Sequence, residues 1–178
     1  QYSRKPPRTL VPRENVQIML CNIESERQTP IATNPNDNFG EDLRAWGKLT
    51  RNIMIWDYVV QFRNLVSPFP NLRVLQPNIR FFVENGTNAH FQQGNREIGG
   101  EFYELRQYLI SRLLWNPDCD IQAETDDFLK HYYREAAPYI RQYIDLMHDE
   151  LEASGEKLGI FMNPEDYCDK GFLRDELM

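Results

Sequence analysis

The sequence has few cysteines, no long apolar run and no concentrated basic segment. Its 3 cysteines, Cys21, Cys119 and Cys168, are far apart and form no C-x-x-C pair. An odd number at such spacings argues against a disulfide framework and against a zinc site. No apolar run approaches the ~20 residues of a membrane-spanning helix. The net charge is -7, so a nucleic-acid partner, which requires a concentrated basic face, is not expected.

Cofactor and nucleophile motifs are also missing. Residues 94–100 are rich in glycine and precede a predicted helix. They have neither the dinucleotide-binding fingerprint nor the Gly-Lys-Ser/Thr ending of a phosphate-binding loop. No Ser/His/Asp or Cys/His arrangement is recognisable, because His131 and His148 stand alone on predicted helices. We therefore expect no cofactor and no metal, and these patterns assign no catalytic residue.

The chain does have enough apolar sequence for one domain core, together with many aromatic residues. Of its 178 residues, 41% are hydrophobic, and they include 10 Phe, 9 Tyr and 3 Trp. Aromatic rings either fill a core or stack on flat ligands such as sugars. The chain starts at Gln1 and not at methionine, which indicates a processed or excised piece of a longer protein.

Apolar segments of strand length alternate with helical patterns over the first two thirds of the chain. The pattern predicts strands over residues 16–23, 52–60 and 89–93, and helices over residues 41–49, 74–85 and 101–115. In the second helix, Pro77 is expected in the first turn and Gly86 just past the end. This order predicts an α/β fold with a parallel sheet covered by helices.

A mostly helical region follows. Residues 126–151 carry an apolar stripe that Pro138 interrupts, so we expect a kink or two helices that meet there. Gly155 is expected to end this region, and residues 164–169 to form a short helix. The chain therefore divides into a β/α region, residues 1–122, and a helical C-terminal extension, residues 123–178.

Polar and aromatic residues stand at the ends of the three predicted strands, where parallel β/α units present their ligand-binding groups. The candidates for substrate binding are Glu24, Trp56, Asp57, Tyr58, Gln92 and Gln93. Acids and amides form hydrogen bonds with sugar hydroxyls, and aromatic rings stack on the C–H faces of sugars. The set therefore predicts a sugar-binding site.

Each candidate has a structural alternative. Trp56 and Tyr58 are two residues apart and share one strand face, where core packing is the commoner role, while Asp57 points to the other face. A buried Asp57 requires partners, so it either lines a site or joins an ion pair. Glu24 fits a loop or capping acid equally well, and the two glutamines fit the entry to a turn.

Several unusual strings resemble a known family. They are IWDY (55–58), PFPNL (68–72), VLQPNIRFF (74–82), GEFYELR (100–106), LLWNP (113–117) and APYI (137–140). With them the chain resembles, over about residues 10–150, a bacterial domain of unknown function found in large secreted proteins of polysaccharide degraders. That family is grouped with the glycoside-hydrolase TIM barrels, near α-glucuronidases and β-hexosaminidases.

The resemblance implies that the chain is the last part of a (β/α)8 barrel followed by a helical appendix. A whole barrel needs eight strands and ~250 residues, so the strands that carry the acid/base carboxylates would lie upstream. It also implies hydrolysis of glycosidic bonds in a polysaccharide or glycan, and an extracellular or periplasmic location. Glu24, Trp56, Asp57, Tyr58 and Gln93 would then line the sugar pocket and would not transfer protons.

Two other functions stay open. The chain is either a non-catalytic module that binds a glycan or a partner protein, or a fragment without activity that associates with itself. Self-association is expected through an open sheet edge, because three strands do not close a barrel and an unpaired edge is a template for further pairing.

Overall fold

The computed structural model describes residues 4–94, 99–168 and 173, apart from the side chain of Cys168. Its three strands are β1 (Ile18–Cys21), β2 (Ile53–Tyr58) and β3 (Thr87–Gln93). Its helices are α1 (Phe39–Gly47), α2 (Leu72–Glu84), α3 (Tyr103–Trp115), α4 (Ile121–Tyr133), α5 (Ala137–Ser154) and α6 (Glu165–Cys168), and a 3-10 turn (Arg134–Ala136) joins α4 to α5. None of the helices in these ranges has the length and apolar character needed to span a bilayer.

Two of the predicted segments are only partly covered by the described residues. Residues 95–98 of the glycine-rich segment, and Asp169 at the end of the predicted short helix, lie outside the described residues. The part of that helix that is described is α6. Cys21 and Cys119 are both free thiols.

The three strands form one parallel sheet in the order β1-β2-β3. The predicted α/β class with a parallel sheet is therefore confirmed. In the register, Leu20 lies beside Ile55, and Trp56 lies beside Phe91. Connections between parallel neighbouring strands are right-handed. Because β1, β2 and β3 are neighbours in the order in which they occur in the chain, the connecting helices α1 and α2 lie on the same side of the sheet.

That side holds the first hydrophobic core. Successive side chains of a strand point to opposite faces, and the helix-facing side chains of β1 and β2 lie under α1 and α2, buried except for the partly buried Ile18. The cluster includes Leu20, Ile53, Ile55, Phe39, Leu43, Phe81 and Phe82. The opposite face carries Met19, which is 54% exposed, and Phe91, which is 42% exposed. We call this second surface the open face of the sheet.

A second core joins the β/α part to the helices that follow it. It contains Leu75 and Ile79 of α2, Leu109 and Leu113 of α3, and Leu129 and Ile144 of α4 and α5. Its members come from both sides of the predicted division between residues 122 and 123. Burial of each such aliphatic side chain stabilises the fold by about 1.5–3 kcal/mol.

The helical region is two helices that meet beside Pro138. α5 begins at Ala137 with the proline in its first turn, where a missing N–H costs nothing, and Gly155 (φ 69°) caps its end. α4 begins at Ile121, five residues earlier than the sequence suggested, because the Asp120 carboxylate accepts hydrogen bonds from two backbone N–H groups in the first turn.

Pro77 lies inside α2 and not in its first turn, because the helix begins already at Leu72. The early start follows from a cap that comes from α5. His148 is buried, and its Nε2 accepts hydrogen bonds from the backbone N–H of Leu72 (3.0 Å) and of Arg73 (3.4 Å). Its Nδ1 lies 2.7 Å from the carbonyl oxygen of Ile144, to which it donates. Both ring nitrogens are therefore engaged in the neutral form.

This cap makes the stability of the fold sensitive to pH. Burial lowers the pKa of His148, and Arg73 acts in the same direction, against the hydrogen bond to Ile144 and the charges of Glu152 and Asp145. The unfolded chain, with a histidine pKa of about 6.5, therefore takes up the proton first as the pH falls. The stabilisation is complete above that pH and is lost as the pH falls toward the folded-state pKa, with a slope of at most about 1.4 kcal/mol per pH unit.

We expect His148→Gln to flatten the dependence of the free energy of unfolding on pH, as measured by urea titrations between about pH 7 and pH 5. His131→Gln is the matched control, since the side chain of His131 is 70% exposed, and it should keep the wild-type slope. Burial also lowers the pKa of His90, so a smaller slope should remain in His148→Gln. A wild-type slope in His148→Gln would contradict the capping role.

Candidate functional site

The six residues predicted to bind substrate divide between the two faces of the sheet. Trp56 and Tyr58 of β2 and Gln93 of β3 lie on the open face, while Asp57 and Gln92 lie on the helix-facing side. Glu24 follows β1 in a loop, and its side chain is 70% exposed. The parallel sheet therefore brings all six to its carboxyl-terminal edge, but only three of them share one surface.

Asp57 joins a buried ion pair. Its Oδ1 atom accepts hydrogen bonds from Arg27 Nη1 at 3.1 Å, from Asn22 Nδ2 at 2.6 Å and from the backbone N–H of Tyr58 at 2.8 Å. Asp57 and Arg27 are each 4% exposed. Burial lowers the pKa of the Arg27 guanidinium, and the Asp57 carboxylate opposes that change. Three donors on one oxygen hold this carboxylate in a structural role.

Glu24 belongs to a more exposed charge cluster. Its carboxylate lies 3.5 Å from Arg4 Nη1. The same guanidinium is 2.7 Å from Asp42 through Nε and 3.9 Å from Asp37 through Nη1. Arg4 therefore ties the start of the described chain to the loop after β1 and to α1.

Gln92 lines a cavity of about 280 Å³ between β3 and α3, together with His90, Tyr103 and Arg106. Within the described ranges, Gln92 Nε2 and His90 Nδ1 are buried without a hydrogen-bond partner. Arg106 is engaged already, because it contacts the Glu101 carboxylate at 2.7 Å and Asn71 Oδ1 at 3.2 Å. The wall of this cavity therefore combines polar and apolar side chains, and the charge of its one arginine is neutralised by Glu101.

Five aromatic rings, from β2, β3 and two loops, follow one another in contact. We call this set the aromatic row: Phe91, Trp56, Tyr58, Phe62 and Phe161. The successive ring centroids are 4.8, 6.4, 6.0 and 5.9 Å apart. Trp56 and Tyr58 are nearly parallel at 28°, while Phe91 meets Trp56 edge to face at 81°. Such offset and edge contacts are the favoured geometries of aromatic pairs.

Polar groups fix the orientation of the row. Trp56 Nε1 donates a hydrogen bond to Gln93 Oε1 at 2.7 Å, which holds the indole against β3. The Arg27 guanidinium carbon lies 5.8 Å from the centroid of the Tyr58 ring, a distance typical of a cation–π contact. Burial raises the pKa of Tyr58, so its hydroxyl is a neutral donor and acceptor near pH 7. The row thus combines partly exposed rings with an amide and a phenol.

The sequence predicted Trp56 and Tyr58 of the row, but not Phe62 or the two exposed ends, Phe91 and Phe161. Phe91 shares a strand face with Gln93 by simple alternation, so that signal was present. Phe161 lies in the tail after Gly155, where no periodic pattern marks it. In the part of the chain that the structure describes, no group of three or more His, Cys, Asp or Glu side chains is placed to hold a metal ion.

The chain matches one family of proteins. A family model described as Domain of unknown function (DUF4838) matches residues 1–145, and the chain therefore belongs to that family. No curated protein and no solved structure matches it. The matched range includes all three strands, α1 to α4 and four of the five rings in the aromatic row, and it ends inside α5.

We expect Asp57→Asn to lower the free energy of unfolding by about 3–5 kcal/mol, because it leaves the charge of Arg27 buried without its partner. Chemical denaturation followed by circular dichroism measures the loss. Glu24→Gln is the matched control, and since it removes only an exposed ion pair it should cost less than about 1 kcal/mol. A loss of that small size in Asp57→Asn would show that the buried pair does not stabilise the fold.

Proposed function

We propose that this chain binds glycans through the aromatic row, as the sugar-binding portion of a glycoside-hydrolase-like, carbohydrate-active domain. The observation that carries the proposal is the partly exposed run of five rings across the open face and the adjoining loops. Rings with apolar faces and a polar edge suit ligands that present both C–H groups and hydroxyls. The amide of Gln93 and the phenol of Tyr58 supply hydrogen-bonding groups beside them.

The position of the row supports the same proposal. Trp56 and Tyr58 end β2, Gln93 ends β3, and Phe62 follows in the loop after β2. α/β folds place ligands at the carboxyl ends of parallel strands. Tyr58 and Phe62 also pack against the core, whereas Phe91 and Phe161 at the two ends of the row are exposed. This partly exposed surface at that edge supports a ligand site.

Hydrolysis of glycosidic bonds is the part of the proposal that rests on the resemblance to glycoside-hydrolase barrels. It requires two carboxyl groups, about 5–5.5 Å apart for retention or about 6.5–9.5 Å apart for inversion. The strand residues of the open face include no carboxylate, and Asp57 is held on the other side by Arg27. The aromatic row would therefore hold the sugar while other residues carry the acid/base chemistry. The secretion that the same resemblance implies fits a glycan ligand.

We expect Trp56→Ala to weaken glycan binding at least about fivefold, because truncating a central aromatic anchor costs more than about 1 kcal/mol. Calorimetric titration with cello-, xylo-, manno- and N-acetylchito-oligosaccharides identifies the ligand and measures the loss. Trp115→Ala is the matched control, since Trp115 lies outside the row and is 89% exposed. Unchanged affinity in Trp56→Ala, or no binding of any of these sugars by the wild-type chain, would refute the proposal.

Self-association is a second candidate function, which the unpaired edges of the sheet favour. Within the described ranges β1 and β3 each pair only with β2, so both outer edges present free backbone groups. Phe91 on β3 adds an exposed apolar side chain beside one edge.

If this edge mediates association, light scattering should give a mass above the 21.2 kDa of one chain, rising with protein concentration. Phe91→Lys should lower that mass, because a charged residue on an edge strand opposes pairing. Val83→Lys is the control, a change at another partly exposed apolar residue, on α2. A constant single-chain mass would exclude this candidate.

A further inference from the structure

The segment after α5 forms a strap over the carboxyl-terminal edge of the sheet. The strap, residues 156–162, starts directly after Gly155, which ends α5. Its Leu158 carbonyl accepts a hydrogen bond from the backbone N–H of Arg27 at 2.9 Å, and its Ile160 carbonyl accepts one from Phe62 at 2.8 Å. The strap therefore bridges the loop after β1 and the loop after β2.

Side-chain contacts hold the strap at both ends. Lys157 Nζ lies 2.6 Å from the Glu26 carboxylate, and Gln61 Nε2 donates to the carbonyl of Met162 at 2.6 Å. Between these points Leu158 is fully buried and Ile160 is 3% exposed. They share a hydrophobic cluster with Phe69, Met147, Leu151, Tyr167 and Leu173. The strap is thus fixed in place by backbone bonds, by polar contacts and by buried aliphatic side chains.

One large apolar side chain of the strap does not take part in this packing. Phe161 is 54% exposed, although its neighbour Ile160 is buried. Its ring lies 5.9 Å from that of Phe62, which itself contacts Tyr58 at 6.0 Å. This half-exposed phenylalanine continues the row of rings that begins on β3.

The strap also lies beyond the part of the chain that the family model matches. That match ends at residue 145, and four rings of the row lie within it. Phe161 therefore lies outside the matched range, while the other four rings of the row lie inside it.

We propose, on the basis of the glycan-binding function above, that Phe161 forms a distal subsite and that the ligand is an oligosaccharide chain, not a single sugar. Each step between neighbouring rings is comparable with the length of one sugar residue in a chain. A short ligand stacks on Trp56 and Tyr58 alone, and a longer one extends past Phe62 to Phe161. The strap in this way selects ligands by their length.

The test compares a disaccharide with the hexasaccharide of the same sugar, chosen among the cello-, xylo-, manno- and N-acetylchito- series. Phe161→Ala should weaken hexasaccharide binding about fivefold to tenfold and leave disaccharide binding unchanged. Tyr139→Ala is the matched control, because Tyr139 is an exposed ring (72%) outside the row, and it should bind both ligands as the wild type does. Thermal unfolding should show a midpoint for Phe161→Ala only a few degrees below that of the wild type, since the side chain is half exposed and loses one ring contact of about 0.5–1.5 kcal/mol.

The outcomes separate this inference from the function on which it rests. Trp56→Ala should weaken both ligands. If it does, while Phe161→Ala binds the hexasaccharide as the wild type does or loses equal affinity for both lengths, the distal subsite is overturned and glycan binding stands. A wild-type chain that binds none of the probes overturns both proposals.

Discussion

Both crossover helices of the sheet lie on one side of it, and the rest of the structure depends on this arrangement. Three parallel strands in consecutive order with right-handed connections leave no other geometry. The helix-facing side chains of β1 and β2 become a dry core with α1 and α2. The opposite face keeps Met19 and Phe91 in contact with solvent. Parallel sheets are normally covered on both faces, so the uncovered face is where a ligand or another surface is to be sought.

The alternation of side chains along a strand then decides the role of each polar residue. Trp56 and Asp57 are adjacent in sequence, yet one faces the open side and the other faces the core. Burial of the Asp57 carboxylate is tolerated because Arg27 and Asn22 both bond to it. The indole of Trp56 meets Gln93 on the far side. Two neighbouring residues thus have different roles: Asp57 belongs to a buried ion pair, and Trp56 belongs to the proposed binding surface.

Local patterns predicted the order of the elements, the break beside Pro138 and the end of α5 at Gly155, because each follows from spacing or from one residue's backbone preference. Local patterns could not predict contacts between residues that are far apart in the sequence. A buried Asp57 predicts a cationic partner, but nothing local selects Arg27 among 20 lysines and arginines. The strap is tied by contacts such as Gln61 to Met162, which are 101 residues apart. The start of α4 was predictable from its capping residue Asp120, and the start of α2 was not, because His148 comes from another helix.

One-sided winding has a consequence for how such a sheet evolves. The side chains of Leu20, Ile53 and Ile55 already find their packing partners among the helices present. Within the described ranges β1 and β3 are outer strands, so a further strand could pair with either edge without breaking a hydrogen bond between the three existing strands. The sheet can therefore be extended by one strand at a time. Each added strand would widen the open face, on which rings such as Trp56 and Phe91 lie.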